Sequence, residues 1–349
     1  MSKNKSEIIA QAFEAKRHAS KPISFDDQKI QTNVKIVRNI RQATRPSIVK
    51  IRSQALSIQD DLNEMMRFVS ENGNIYLTFG GVGDLVLLLA ECCDDKLAKI
   101  IFFANSGSKE FGENFLKLFG MKYRVFNNIF GSGDAHRALN MLKATGRLMK
   151  SAHLPDGLDY GDWVRDTEKY LGRIPRNTNW IDRFGCDDNQ IKGKKVIFAP
   201  SGSYRSLHKQ KFLQPHEVEA VIKVYLKKGY TVLITGSDED KNFYNTIRNP
   251  RVFWLTANKI IDYKNYSVSL DFKKFLRIIN SADEFCSVDT WLKTYTCLIG
   301  KNTKVFDNRY DNRYAFGSDS GDFIFLNEKF WPSMKLIKVE EFIKNDGFL

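Results

Sequence analysis

Apolar positions along the chain fall into two rhythms. Up to about residue 72 they recur at mixed three- and four-residue spacing: Val34, Ile36, Val37 and Ile40, then Ile48, Ile51, Leu56, Ile58, Leu62, Met65, Met66 and Val69. That spacing predicts amphipathic helix. Pro46 interrupts it, and Asn72-Gly73 predicts its end. From residue 75 the rhythm becomes strand, turn, helix. Ile75 to Phe79, Lys99 to Ala104 and Lys122 to Phe126 are short β-rich runs. Between and after them, helices are predicted from Leu85, over Phe111 to Phe119 with a stop at Gly120, and near Ala135–Leu148 after the turn Gly131-Ser132-Gly133.

Residues 151–192 break this rhythm with Gly, Pro, Asp and Asn, anchored by Tyr160, Trp163, Tyr170 and Trp180. They read as a connecting region with one helix at about 161–171. A second alternating set follows. Strands are predicted at Lys195–Ala199, Thr231–Thr235, Glu284–Ser287 and Thr303–Phe306, and helices at Glu217–Lys228, Asp271–Ser281, Thr290–Ile299 and Val339–Lys344. Strands that alternate with helices imply parallel sheets with helices on both faces. The expected fold is α/β: two Rossmann-like halves facing across a cleft, behind a helical basic extension. The expected boundaries are 1–72 for the extension, 73–175 and 190–330 for the two halves, and 331–349 for a closing segment.

Charge adds a feature that hydropathy does not show. The 349 residues carry 54 Lys and Arg against 41 Asp and Glu, a net +13, with an isoelectric point near 9.3. Residues 1–52 hold 12 Lys and Arg against 4 acidic residues, so +8 of the excess sits in the extension. Lys35, Arg38, Arg41, Arg45, Lys50 and Arg52 are its candidate polyanion-binding residues. Such an arm attracts nucleic acid, an anionic membrane face or a charged glycan. No apolar run approaches the ~20 residues of a membrane helix, although peripheral membrane contact stays compatible with the arm. The first residues lead into no apolar signal core. Five cysteines scattered over the chain do not make a disulfide framework. A cytoplasmic setting is the expectation, the host cytoplasm if the chain is phage-encoded.

Three constellations sit at predicted strand ends, where doubly wound sheets bind ligands. The first is Gly80-Gly81-Val82-Gly83-Asp84. Its glycines, Gly80, Gly81 and Gly83, let backbone approach a ligand. Asp84 reads either as a cap of the following helix or as a general base exposed in the cleft. The spacing is not that of a dinucleotide fingerprint. The second is Pro200-Ser201-Gly202-Ser203-Tyr204-Arg205 with Lys209 and Lys211 behind it. Small hydroxyls and cations after a strand suit a diphosphate, while a plain turn also explains Ser-Gly-Ser. The third is Asn280-Ser281-Ala282-Asp283-Glu284-Phe285-Cys286-Ser287-Val288-Asp289-Thr290-Trp291, where a strand ends at Ser287 and Asp289 and Thr290 open a helix able to hold phosphate oxygens or merely cap themselves. Asp238-Glu239-Asp240 has the look of a metal motif but reads better as the acidic first turn of a helix. The five histidines have no zinc-like spacing, and no metal is expected.

Taken in this order, the motifs resemble glycosyltransferase family 9, the ADP-heptose:lipopolysaccharide heptosyltransferases, which have the GT-B fold. The match runs through Gly81-Val82-Gly83-Asp84, Phe198-Ala199-Pro200-Ser201-Gly202-Ser203, Val232-Leu233-Ile234-Thr235-Gly236, and Ser281-Ala282-Asp283 followed by Val288-Asp289-Thr290-Trp291-Leu292. It ends in Leu298-Ile299-Gly300-Lys301-Asn302-Thr303-Lys304-Val305-Phe306, covering about residues 74–307. The family's Gly after Asp-Thr is Trp291 here, and its His three residues on is Thr294. The resemblance implies inverting, metal-independent transfer from a nucleotide sugar, used as co-substrate with no cofactor. Asp84 would be the base; Ser201, Gly202, Ser203, Asp289 and Thr290 would line the diphosphate pocket; Arg205, Lys209 or Lys211 would neutralise the leaving group.

Three functions follow. The favoured one transfers a sugar to a hydroxymethylated base in duplex DNA, a phage-type modification. The second acts on lipopolysaccharide core or another surface glycan. The third is a non-catalytic nucleotide-binding protein on the same fold.

Overall fold

A computed structural model describes residues 60–61, 63–104, 107–127, 144, 148–151, 178–186, 191–202, 212–244, 248–306 and 331–346. The chain divides into two units, residues 1–61 and 62–349. Of the first, only residues 60 and 61 are described, and both are helical; the polyanion-binding candidates from Lys35 to Arg52 lie outside the described residues. All that follows belongs to the second unit.

Residues 63–70 are helical and lead into β1 (Asn74–Gly80). Then come α1 (Val82–Cys92), β2 (Ala98–Ala104), α2 (Lys109–Phe119), β3 (Lys122–Asn127) and β4 (Leu148–Ser151). These strands form one four-stranded sheet in the order β3-β2-β1-β4, all parallel. The helix expected up to Leu148 is corrected at that end: Leu148 begins a strand that pairs with Ile75 of β1. A free edge on β1 supplies hydrogen bonds that local propensity cannot anticipate.

After the short α3 (Trp180–Phe184), the second set runs β5 (Lys195–Ala199), α4 (Pro215–Lys227), β6 (Thr231–Thr235), α5 (Asp238–Phe243) and β7 (Val252–Thr256). It continues through β8 (Lys259–Ile261), β9 (Ser267–Ser269), α6 (Phe272–Asn280), β10 (Glu284–Ser287), α7 (Trp291–Leu298), β11 (Thr303–Phe306), β12 (Met334–Ile337) and α8 (Val339–Asp346). The sheet order is β12-β11-β10-β5-β6-β7-β8-β9. Strands β5, β6, β7, β10, β11 and β12 are parallel, and β8 and β9 add an antiparallel ribbon at one edge. Numbered within this half, the parallel strands run 3-2-1-4-5-6, the Rossmann order. The fold is mixed α/β with two Rossmann-like parallel sheets.

Strand β5 lies in the interior of the larger sheet. All five of its residues are buried, as expected for a parallel strand covered on both faces. Val196 and Phe198 feed the core shared with α4 and α8, whereas Ile197 and Ala199 feed a second core. That second core is common to both sheets: it holds Tyr76, Ile100 and Phe102 of the smaller sheet, Leu85 and Leu88 of α1, Phe115 of α2, Phe275 of α6 and Leu292 and Tyr295 of α7. Helices α1, α2, α6 and α7 therefore form a packed layer between the sheets. Phe111 and Phe115 meet Phe272 edge-on, with centroids 5.4 and 4.9 Å apart.

Candidate functional site

The polypeptide changes direction in the larger sheet between β5 and its neighbour β10, the switch point at which open α/β sheets bind ligands. The carboxyl ends of these strands are tied together, since Val288 N–H donates to the Ala199 carbonyl at 3.0 Å. Beyond them lie two of the three constellations.

On the β10 side the chain runs Ser287-Val288-Asp289-Thr290 into α7. Thr290 is the N-cap, in extended conformation, and its Oγ1 accepts from Leu292 N–H at 3.1 Å. The Ser287 and Thr290 hydroxyls lie 2.9 Å apart. Asp289 pairs with Lys293 one turn along the helix, Oδ1 to Nζ 2.7 Å. The cap that sequence reasoning allowed for Thr290 is thus made, and the first turn of α7 keeps its field toward the switch point.

On the β5 side, Leu213 N–H donates to the Pro200 carbonyl at 2.9 Å, and Ser201 bridges to Phe212. Ser201 Oγ is buried, with the Tyr244 phenol beside it as a hydrogen-bonding neighbour. Tyr244 O–H donates to the Leu213 carbonyl at 2.9 Å. Burial pushes the Tyr244 phenol up, the Asp240 and Glu217 carboxylates push the same way, and the Ser201 hydroxyl opposes them. Gly202 is exposed. Ser203, Arg205, Lys209 and Lys211 lie outside the described residues.

The third constellation comes from the smaller sheet. Gly80 ends β1 at φ +106°, and a Cβ there would lie 2.7 Å from Asp84 Oδ2. Only glycine tolerates both conditions. Asp84 stands in the first turn of α1, and its Oδ2 accepts from Gly81 N–H at 2.9 Å. The carboxylate therefore does make the cap contact that was one of its two readings. Gly83 faces the other half: a Cβ on it would sit 3.5 Å from Thr294 Oγ1 and 3.6 Å from Trp291 Cα. The first turns of α1 and α7, one from each sheet, thus lie against each other.

Trp291 and Thr294 are both taken up by packing at this contact. The Trp291 ring turns into the layer between the sheets, with centroids 4.9 Å from Phe111 and 5.9 Å from Phe275. Thr294 is buried and abuts Gly83. Sequence reasoning took Ser287 only as the end of its strand and passed over Lys293. The signal for Lys293 was its position four residues after Asp289, the spacing of a helical ion pair.

Asp238-Glu239-Asp240 opens α5 as an acidic turn: Asp240 Oδ2 accepts from Ser237 N–H and from Ser237 Oγ, each at 2.8 Å. Among the described residues no group of His, Cys, Asp and Glu could hold a metal ion, and no helix is long and apolar enough to cross a membrane.

No protein-family model matches the chain, and no curated protein matches it. Among solved structures, the S. aureus MnaA–UDP complex aligns with 77% of this chain and 92% of its own at 10% identity and a TM-score of 0.37. An O-ureido-L-serine-bound mutant of O-ureido-L-serine synthase aligns with 53% of this chain and 49% of its own at 13% identity and a TM-score of 0.20. With scores this low, the fold assignment rests on the chain's own strand order: two parallel α/β sheets of Rossmann type.

Proposed function

We propose that the protein is an inverting, metal-independent glycosyltransferase that takes its sugar from a nucleotide sugar. One observation carries the reading: the Asp84 turn of one sheet and the Asp289-Thr290 turn of the other are brought together where Gly83 packs on Trp291. A base and a diphosphate site on opposite walls are what an in-line displacement requires. The Ser201 hydroxyl, at the carboxyl end of β5 beside the switch point, supports the donor side.

In this mechanism the diphosphate lies against Ser201, Gly202, Ser203 and the first turn of α7, with Asp289 and Thr290 at its mouth. Arg205, Lys209 or Lys211 offsets the charge that develops on the leaving nucleoside diphosphate. Asp84 takes the proton from the acceptor hydroxyl as that oxygen attacks the anomeric carbon, and the configuration inverts. Its bond to Gly81 N–H fixes the carboxylate's direction.

The favoured acceptor is a hydroxymethylated base in duplex DNA. The support is the +8 charge of residues 1–52. Such an arm holds phosphates, while the target base is flipped out to reach the site. A surface glycan is the second reading, favoured by the motif resemblance to the heptosyltransferases.

A thermal-shift panel of nucleotide sugars tests the donor, since a ligand that binds only the folded state raises Tm by mass action. A shift with one nucleotide class is expected; no shift with any donor contradicts the reading. Duplex DNA retention should fall with salt at a log–log slope of several and vanish when residues 1–52 are deleted. Retention that survives the deletion removes the support for DNA.

A further inference from the structure

We propose that the amino-terminal edge of the larger sheet is a docking surface for the phosphate backbone of duplex DNA, separate from the basic arm of residues 1–52. The inference goes beyond the reading above and needs neither a sugar donor nor a reacting base.

Strands β5, β6, β7, β10 and β11 are parallel and adjacent, so the residues that enter them line one edge. Taking each strand's first residue and the four before it, this edge holds eight Lys and Arg against Asp283 and Glu284. Asp187 and Asp188 stand just upstream, outside the described residues, and counting them leaves eight against four. Residues 53–349 as a whole carry 42 Lys and Arg against 37 Asp and Glu, so the edge holds most of their excess. Backbone hydrogen bonds set the alignment. The Lys194 carbonyl accepts from Thr231 N–H at 2.8 Å, the Arg251 carbonyl from Val232 N–H at 2.8 Å, and the Lys195 carbonyl from Asp283 N–H at 3.0 Å. Both acids are engaged within the protein: Asp283 Oδ2 accepts from Lys195 N–H at 2.7 Å, and Glu284 accepts from Tyr230 O–H and Lys304 Nζ. Lys192, Lys194, Arg248 and Arg251 are exposed, and Lys301 is half-buried. From Lys301 before β11 to Arg251 before β7 the row crosses five strands, about 19 Å at the usual strand spacing. A duplex presents a phosphate about every 3.4 Å along each strand, so roughly five phosphates of one strand face the row.

Peripheral membrane surfaces add inserting apolar side chains to their cations. Among the described residues the exposed large apolar side chains are Leu97, Phe243, Tyr266 and Val268, and none precedes one of these five strands. The row therefore fits a phosphate backbone. Strand β5 has five residues, which puts the edge roughly 17 Å from the switch point at its carboxyl end. The edge adds to the arm's hold on DNA without entering the site.

The test follows the salt dependence of duplex binding by the full-length protein, with urea midpoints recorded in parallel. One variant carries Lys192→Gln, Lys194→Gln, Arg248→Gln and Lys301→Gln together. A control carries Lys109→Gln, Lys117→Gln, Lys273→Gln and Lys338→Gln, four exposed positions elsewhere. The edge variant should shrink the log–log slope by about 2–4, at ~0.9 per lost contact, and the control should leave it unchanged. Lys192→Gln with Arg248→Gln should give a fall of about 1–2 even if the fourfold variant does not fold. An unchanged slope in the edge variants, or an equal fall in the control, overturns the assignment. Binding to phosphatidylserine vesicles that the edge variants lose while keeping their slope on DNA assigns the edge to a membrane and overturns it too. If the unsubstituted protein binds no duplex, this inference and the DNA acceptor fall together, and the nucleotide-sugar reading keeps its own test. If it binds and only the edge variants behave as wild type, this inference alone falls.

Discussion

Gly83 of α1 rests on Trp291 of α7, where an added Cβ would lie 3.6 Å from Trp291 Cα. Alanine at 83 meets only ordinary contacts and gains helix propensity worth up to about 1 kcal/mol. Gly83→Ala should therefore be neutral or slightly stabilising in urea unfolding. Gly83→Leu should wedge the two first turns apart and lower both the urea midpoint and nucleotide-sugar affinity.

Trp291 itself joins the halves. Its ring contacts Phe111 and Phe115 of α2 as well as Phe275 of α6. Removing a large aromatic ring costs about 3–5 kcal/mol when it is fully buried. Trp291 is partly exposed, so Trp291→Ala should lose roughly 2–4 kcal/mol. Hydrogen exchange should rise in α1, α2 and α7 together.

Gly80→Ala should behave in the opposite way to Gly83→Ala. It places a side chain at φ +106° and drives a Cβ to 2.7 Å from Asp84 Oδ2. The expected loss is about 1–3 kcal/mol of stability, with a larger fall in turnover than in nucleotide binding, because the displaced group is the proposed base.

The pH dependence of stability should carry the mark of Glu284. Its carboxylate accepts from Tyr230 O–H and Lys304 Nζ, each at 2.6 Å. Burial pushes Glu284 up, but Lys304 and Tyr230 outweigh it and hold it below the ordinary glutamate value. Its contribution is therefore complete above the ordinary glutamate range and is lost as pH falls through the lowered value. The hydrogen bond to Glu284, with burial adding to it, pushes Tyr230 up to about 12. That contribution is complete below the ordinary tyrosine value and is lost as pH rises toward about 12. Tyr230→Phe should flatten the alkaline limb in a series of urea melts. Lys304→Met should cost about 1–2 kcal/mol at neutral pH and move the acid limb upward.

Much of this arrangement was legible in the sequence because burial on both faces leaves continuous apolar runs. Lys195–Ala199, Thr231–Thr235, Glu284–Ser287 and Thr303–Phe306 are strands with the predicted bounds. Gly120 ends α2 in the left-handed region at φ 70°, as its placement suggested. The elements that escaped are those without a local period. Strands β8 and β9 have three residues each, and all three of Ser267–Ser269 are exposed. α3 has five residues and is held by Trp180 stacking on Tyr295, a partner 115 positions away that no window of sequence can reveal. β4 exists because β1 had an open edge, and β12 because β11 did. At the site, the sequence indicated the residue types at each strand end. It could not indicate that Gly83 would touch Trp291, or that Lys293 would be covered, since both depend on how the two sheets meet.

The central claim is that Asp84 acts on an acceptor while the facing turn holds a nucleotide sugar. The most direct measurement is release of nucleoside diphosphate from the donor identified by thermal shift, with binding of that donor measured on the same preparations, for the unsubstituted protein and for Asp84→Asn. The account predicts that Asp84→Asn binds the donor as before and loses turnover by roughly 10²–10⁴-fold, the range for removing a general base. Undiminished turnover in Asp84→Asn, or donor affinity lost along with it, would contradict the account.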